Sequence, residues 1–149
     1  MLKVKRLSDN AHLPQKAHTG DLGYDLFAAE DVTFYAGQTK LVPTSIAIEF
    51  PSGYGAFIRD RSSVATKRNL FTVAGVIDNG YVGEIKVAMY NSLDDAQLIK
   101  AGEKIAQLVL IQTVNFPVVE VEEVISADQR GTGGFGSTNN EPYPYEYYR

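Results

Sequence analysis

The 149-residue chain contains no cysteine, which excludes disulfides and thiolate metal sites. Histidine is almost as scarce: His12 and His18 are the only two, both early and in polar surroundings. That argues against a His-based metal cluster and against a Ser-His-Asp triad. No apolar run approaches the ~20 residues needed to span a bilayer, so no membrane association is expected. The opening Met1-Leu2-Lys3-Val4-Lys5-Arg6-Leu7 carries positive charge without a following apolar stretch, and no secretory signal is expected. An excess of positive charge is missing too. The formal net charge of −4 argues against direct nucleic-acid binding, which normally needs a broad basic face. An anionic small substrate would have to find local cations.

What is present fits one domain. The length is that of an ordinary single domain, and 44% of the residues are hydrophobic, enough for a real core. The dominant period is two. Leu2–Leu7, Thr44–Phe50, Glu84–Tyr90 and Val118–Val124 alternate between apolar and polar residues, and each predicts a half-buried strand. Ile105–Val114 is a longer apolar run rich in β-branched residues, predicting a strand buried on both faces. Turn signals separate these runs at Ala36-Gly37-Gln38, Pro51-Ser52-Gly53, Asp78-Asn79-Gly80 and Lys100-Ala101-Gly102. Only Ser62–Arg68 reads as helix, with Ser62 or Ser63 as its cap. Many short strands at close spacing predict an all-β sandwich or barrel. From Arg130 the composition changes, first to a glycine-rich stretch and then to residues rich in Tyr, Pro and Asn. Such a tail is expected to stay without regular structure until something orders it.

Five segments can carry chemistry, and each also has a plainer reading. In Gly23-Tyr24-Asp25-Leu26, Asp25 can hold a metal-bound water or simply bond its own turn. In Arg59-Asp60-Arg61-Ser62-Ser63, the planar fork of Arg61 matches phosphate oxygens and the helix start adds free N–H groups. The plainer reading is a surface Arg paired with Asp60 beside a Ser cap. In Gly75-Val76-Ile77-Asp78-Asn79-Gly80-Tyr81-Val82-Gly83-Glu84, Asn-Gly signals a hairpin, with Asp78 and Tyr81 at its mouth. That suits a water-activating base beside a sugar-sized slot, or else a plain turn with a packed ring. In Gly102-Glu103-Lys104-Ile105-Ala106-Gln107-Leu108, Gln107 is polar within an apolar run and needs partners, structural or ligand. In Arg130–Thr138, backbone N–H groups could wrap phosphates while Phe135 stacks on a base, or the stretch is simply a flexible tail.

Taken together and in this order, the five segments resemble the five motifs of the trimeric dUTPase family, from about Gly23 to Thr138. The resemblance implies hydrolysis of dUTP to dUMP and pyrophosphate with Mg²⁺. That reaction would limit uracil incorporation into DNA and supply dUMP for dTMP synthesis. It implies a jelly-roll-like β-barrel of the β-clip type over residues 1–129, with a tail, 130–149, ordered on nucleotide binding. Asp78 matches the catalytic Asp and Tyr81 the ring under deoxyribose. Gly75, Val76, Ile77 and the facing Lys86 match the uracil-reading hairpin. Arg61, Ser62, Ser63 and Gln107 match the phosphate-binding set, and Asp25 the residue that reaches Mg²⁺ through water. In the tail, Arg130 matches a phosphate contact, Phe135 the ring over uracil, and Gly136, Ser137 and Thr138 the closing residues. A homotrimer is implied, its active sites shared between subunits; the lack of cysteine and of a membrane span leads to the separate expectation of a cytoplasmic protein.

The sequence departs from the family pattern in three places. Asp60 stands where Pro often precedes the motif-two Arg; pointing inward it could reduce triphosphate affinity, though a salt bridge to Arg59 would neutralise it. Asn139 replaces a common Gly, and Glu141–Arg149, with four tyrosines, has no assigned counterpart. A rival on the same fold is dCTP deaminase, towards whose hairpin Asp78-Asn79-Gly80-Tyr81 leans. Ala88 falls where that enzyme needs its proton-shuttling Glu, and an alanine moves no protons; Glu84 is expected elsewhere on the strand. A third possibility is a non-catalytic, nucleotide-gated interaction protein.

Overall fold

The computed structural model describes residues 1–125 and 131–133. The chain divides into two units, Met1–Asn115 and Phe116–Arg149. The first unit carries ten strands and one helix. They are β1 (Lys3–Arg6), β2 (Tyr24–Phe27), β3 (Val32–Phe34), β4 (Thr39–Glu49), β5 (Tyr54–Asp60), α1 (Ser62–Arg68), β6 (Leu70–Thr72), β7 (Val76–Ile77), β8 (Glu84–Asn91), β9 (Gln97–Ile99) and β10 (Lys104–Gln112).

Two four-stranded sheets, ordered β1-β4-β8-β6 and β2-β10-β5-β7, and a two-stranded sheet, β3-β9, make up the unit. All pairings are antiparallel. Alternation decides the faces. In β4 the buried residues are Val42, Thr44, Ile46 and Ile48, and in β8 they are Ile85, Val87, Met89 and Asn91. The second sheet adds Leu26, Ala56, Ile58, Ile105 and Leu108 to the same apolar cluster, and the small sheet adds Phe34 and Ile99. The buried polar side chains are bonded. The Thr44 hydroxyl donates to the Ile85 carbonyl, and Asn91 Nδ2 donates to the Asp95 carbonyl at 2.8 Å. The expected all-β, jelly-roll-like architecture is what the chain adopts, its sheets not closed into one continuous barrel.

Four local expectations are corrected. Val118–Val124 forms no strand: no described segment pairs with it, and Val118, Val119, Val121 and Val124 are exposed. The β10 strand is buried through both faces only around Ile105 and Ala106. Its neighbour β2 stops opposite Leu108, and Ile111 and Gln112 lie exposed. The helix has the expected bounds, but neither serine caps it. Arg61, still extended, is the N-cap residue with no side-chain cap bond, and its carbonyl accepts from the Val64 and Ala65 N–H groups. The Asp78-Asn79-Gly80 turn forms, closed by Tyr81 N–H donating to the Asp78 carbonyl at 3.1 Å. It is not the tip of a ladder-bonded hairpin, however, because β7 pairs with β5 whereas β8 pairs with β4 and β6. Neither Asn79 nor Gly80 has the positive φ that a tight hairpin turn requires.

Leu108 lies wholly buried in β10, where β2 and β5 flank it. Leu108→Ala should lower the unfolding free energy by about 2–5 kcal/mol, the range for a large-to-small change in a packed core. The shift of the urea midpoint at unchanged slope measures it.

Candidate active site

The divergence of β7 and β8 into different sheets opens a cleft of about 270 Å³ between them, lined by Leu41, Val76, Ile77, Asp78, Tyr81, Glu84 and Lys86. Asp78 stands exposed at its lip, and its carboxylate has no hydrogen-bond or ion-pair partner among the described residues. Tyr81 closes one side. Its hydroxyl donates to the Glu84 carbonyl at 2.9 Å, and its ring crosses Gly83 so closely that a Cβ there would lie 2.6 Å from the hydroxyl oxygen. Gly83 is therefore required for the ring's position. Gly75 is required for a different reason. Its φ is +110, and a Cβ would meet the Ile58 carbonyl at 3.0 Å, while its own carbonyl accepts from Ile58 N–H at 2.8 Å.

Two residues of the cleft form a charged pair. Lys86 Nζ lies 3.4 Å from Glu84 Oε2, and Glu84 Oε1 accepts from the Ser45 N–H at 2.9 Å. Ser45 has φ 51, left-handed for a non-glycine residue, beside the irregularity in the β4–β8 register. Glu84 and Ala88 share a face of β8, but Glu84 is committed to these two partners.

A second group gathers where β2, β5 and β10 meet. Asp25 is buried, with 10% of its side chain accessible. Its Oδ1 accepts from Arg61 Nε at 2.9 Å and its Oδ2 from Lys104 Nζ at 2.8 Å. One carboxylate between two cations leaves a net charge of +1, suited to an anion. Gln107 pairs in register with Asp25 on one side and Arg59 on the other. Its side chain lies over Gly23, where a Cβ would come within 2.5 Å of Gln107 Oε1. Ser62 and Ser63 follow Arg61 on the exposed first turn of α1.

The structure thus brings Asp78, Tyr81, Val76, Ile77 and Lys86 to one cleft and Asp25, Arg61 and Gln107 to another region. Among the described residues no hydrogen bond or ion pair joins the two groups. Arg130, Phe135, Gly136, Ser137 and Thr138, and the expected boundary between residues 129 and 130, lie outside the described residues. Asp60 does not pair with Arg59: its carboxylate accepts from Thr72 N–H at 2.6 Å, while Arg59 stacks over the Phe57 ring at 5.3 Å. Sequence reasoning left Lys104 unassigned. Its signal was the charged turn Gly102-Glu103-Lys104 leading into a strand, but only the β2–β10 pairing brings it to Asp25. Arg68 is held elsewhere, by Glu103 at 2.6 Å and by the Leu98 carbonyl.

A free carboxylate beside a ring-sided slot, with a guarded cationic cluster on the same chain, can handle a small anionic ligand that carries a flat group. Comparison with known proteins makes the class specific. A family model for dUTPase matches residues 9–139. The deoxyuridine 5'-triphosphate nucleotidohydrolase of Thermobifida fusca (strain YX) is 45% identical over 141 residues, covering 92% of this chain and 78% of that one. The Clostridium acetobutylicum protein of the same name is 42% identical over 139 residues, covering 92% and 95%. Among solved structures, a mutant of the Staphylococcus bacteriophage 80alpha dUTPase with dUpNHpp superposes with a TM-score of 0.87 at 32% identity, covering 93% of this chain and 98% of that one. A mutant dUTPase from phage phi11 of S. aureus, described with a coordinated structural Mg(II) ion, gives a TM-score of 0.79 at 29% identity, covering 83% and 97%. The chain belongs to the dUTPase family. Among the described residues no helix is long and apolar enough to cross a membrane.

Asp25→Asn should remove the shared partner of two cations and lower stability by about 1–3 kcal/mol, the cost of leaving charged donors poorly matched. The loss should persist in about 0.5 M salt, because partly buried pairs are screened little. Glu49→Gln, which breaks the exposed Lys3–Glu49 pair, is the control and should change the urea midpoint little.

Proposed function

We propose that the chain hydrolyses dUTP to dUMP and pyrophosphate, keeping uracil out of DNA and supplying dUMP for dTMP synthesis, in the cytoplasm. The observation that carries this reading is the Asp78 carboxylate, without a partner among the described residues, at the lip of a cleft sided by Tyr81. Family membership and the fold likeness to a phage dUTPase solved with dUpNHpp, by its formula an imido analogue of dUTP, support it. In this reading Asp78 accepts the proton of a water as that water attacks the α-phosphorus. The new P–O bond forms as the bond to the α,β-bridging oxygen breaks, and pyrophosphate leaves with that electron pair. Tyr81 packs under deoxyribose and leaves no room for a 2′-hydroxyl. The backbone of Gly75, Val76 and Ile77, with Lys86 facing them, reads the uracil edge. Arg61, Ser62, Ser63 and Gln107 hold phosphate oxygens.

Mg²⁺ fits these residues in one way. Among the described residues no group of three or more His, Cys, Asp or Glu could enclose an ion, so a protein-chelated metal does not suit the donor set. Each Asp25 oxygen has one cationic partner and keeps a spare lone pair for a water. That suits Mg²⁺ carried on the triphosphate with part of its hydration shell, Asp25 reaching it through water. Bound there, the ion neutralises phosphate charge.

Family membership supports a homotrimer whose active sites combine residues of different subunits, and among the described residues no hydrogen bond or ion pair joins the Asp78 cleft to the Asp25–Arg61 cluster. Residues 130–149 complete such a site as a lid, with Arg130 on phosphate, Phe135 over uracil, and Gly136, Ser137 and Thr138 closing. Stacking contributes roughly 1–3 kcal/mol, whereas fixing the backbone costs about 1–2 kcal/mol per residue. Phosphate contacts must therefore supply the rest.

Incubation with dUTP, dCTP and UTP should release pyrophosphate from dUTP alone. Ammonia from dCTP would instead mark a deaminase, and no product at all a binding role. Asp78→Asn should slow turnover about 10²–10⁴-fold, the usual size of a general-base contribution, with binding of dUpNHpp largely kept. Residues 130–149 should become protease-resistant when dUpNHpp and Mg²⁺ are added. Equal cleavage with and without them removes the lid from the reading.

A further inference from the structure

We infer that Asn79 is a positioning residue for the reaction, holding the backbone on the far side of Asp78 so that its carboxylate faces the water. The inference rests on the catalytic reading of Asp78 and deepens it.

Among the described residues the Asp78 side chain makes no bond that would orient it, so its aim depends on its backbone. That backbone is anchored one residue away in each direction, and both anchors lie on the same support. On the N-terminal side, Ile77 and Val76 are in register with Ala56 and Phe57 of β5. Gly55 lets the two segments approach: a Cβ there would lie 2.8 Å from the Ile77 carbonyl oxygen and 3.8 Å from the Asn79 nitrogen. On the C-terminal side, Asn79 Nδ2 donates to the Pro51 carbonyl at 2.8 Å and to the Tyr54 carbonyl at 2.6 Å. Those two acceptors end a single turn, closed by Tyr54 N–H donating to the Pro51 carbonyl at 3.1 Å. The turn is itself tied to the end of β10 by Thr113 N–H donating to the Gly53 carbonyl at 2.8 Å.

The residue type supports the assignment. Asparagine in a turn is usually explained by its tolerance of left-handed backbone or by a bond to its own neighbouring backbone. Asn79 has no positive φ, and its amide is spent on carbonyls 28 and 25 residues away in sequence. Only a side chain of this length with two hydrogens on one atom can bridge both acceptors. Aspartate has the same shape and, ionised, donates nothing.

The test uses the full chain and compares Asn79→Ala, Asn79→Asp, Asn79→Ser, Asp78→Asn and the double variant Asp78→Asn with Asn79→Ala. Steady-state pyrophosphate release gives kcat and KM, with dUpNHpp affinity and the urea midpoint measured in parallel. A base displaced by a fraction of an ångström to about 1 Å predicts kcat down about 10- to 100-fold in Asn79→Ala and Asn79→Asp. Affinity should stay within about threefold, because only the chemical step is affected. Asn79→Ser, which keeps one donor, should lose less. With Asp78 already replaced, removing Asn79 should cost less than about twofold more, since a residue acting through another is not additive with it. Multiplying effects, or a kcat of folded Asn79→Ala within twofold of the parent, overturns the inference. Should Asn79→Ala not fold, Asn79→Ser carries the same comparison. Undiminished turnover by Asp78→Asn overturns the catalytic reading itself, a result distinct from failure of the clamp alone.

Discussion

The cleft exists because the two strands that flank Asp78 hydrogen-bond in different sheets. β7 closes the edge of β2-β10-β5-β7, whereas β8 lies inside β1-β4-β8-β6. Had β7 and β8 formed an ordinary hairpin, their side chains would stand about 5 Å apart and leave no room for a ring. The short β7 is decisive here. It has two residues, enough to anchor Ile77 to β5 but too few to continue towards β8. Gly75 and Gly83, at the two ends of the segment, permit the divergence. One allows a left-handed step against Ile58, and the other leaves space for the Tyr81 ring.

Electrostatics organise the second group in another way. Asp25 sits on a short, mostly buried strand, and a lone carboxylate there would be costly. Arg61 and Lys104 approach it from β5's end and from β10, so the ion cluster also pins the central strands of its sheet at their shared end. A buried ion pair adds little net stability on average. Its value here is that the guanidinium and ammonium stay ordered and still carry a net positive charge.

Much of this was legible in the sequence where burial follows a period of two. The alternation in Thr44–Phe50 and Glu84–Tyr90 located the long strands, and the helix was found with its bounds. Val118–Val124 alternates just as well but is exposed and pairs with no described segment, because a period describes a face without supplying a partner strand. The Asn-Gly signal at 79–80 marked the turn and misstated its kind, since an amide reaching to Pro51 and Tyr54 outweighed local hairpin preference. Asp60 offered an adjacent Arg59 and bonded Thr72 N–H instead. The backbone donor across the β5–β6 link is fixed in place, while Arg59 can swing out over Phe57. The misses at Asn79 and Asp60 both involve a partner remote in sequence.

The two carboxylates singled out by sequence have opposite surroundings, and chemistry requires the difference. A general base needs free lone pairs facing the water, and Asp78 keeps both oxygens without partners among the described residues. A carboxylate placed as Asp25 is, between an Arg and a Lys, has both oxygens already engaged by cations. If Asp78 lay beside Arg61 within the same chain, the pair would close on itself and neither side chain would be free for a ligand. Under the proposed function, keeping the base and the phosphate-binding cations on separate parts of the fold avoids that collapse. In the proposed reading, substrate arrival between subunits is what brings them together, so the phosphates, not Asp78, become the partner of Arg61.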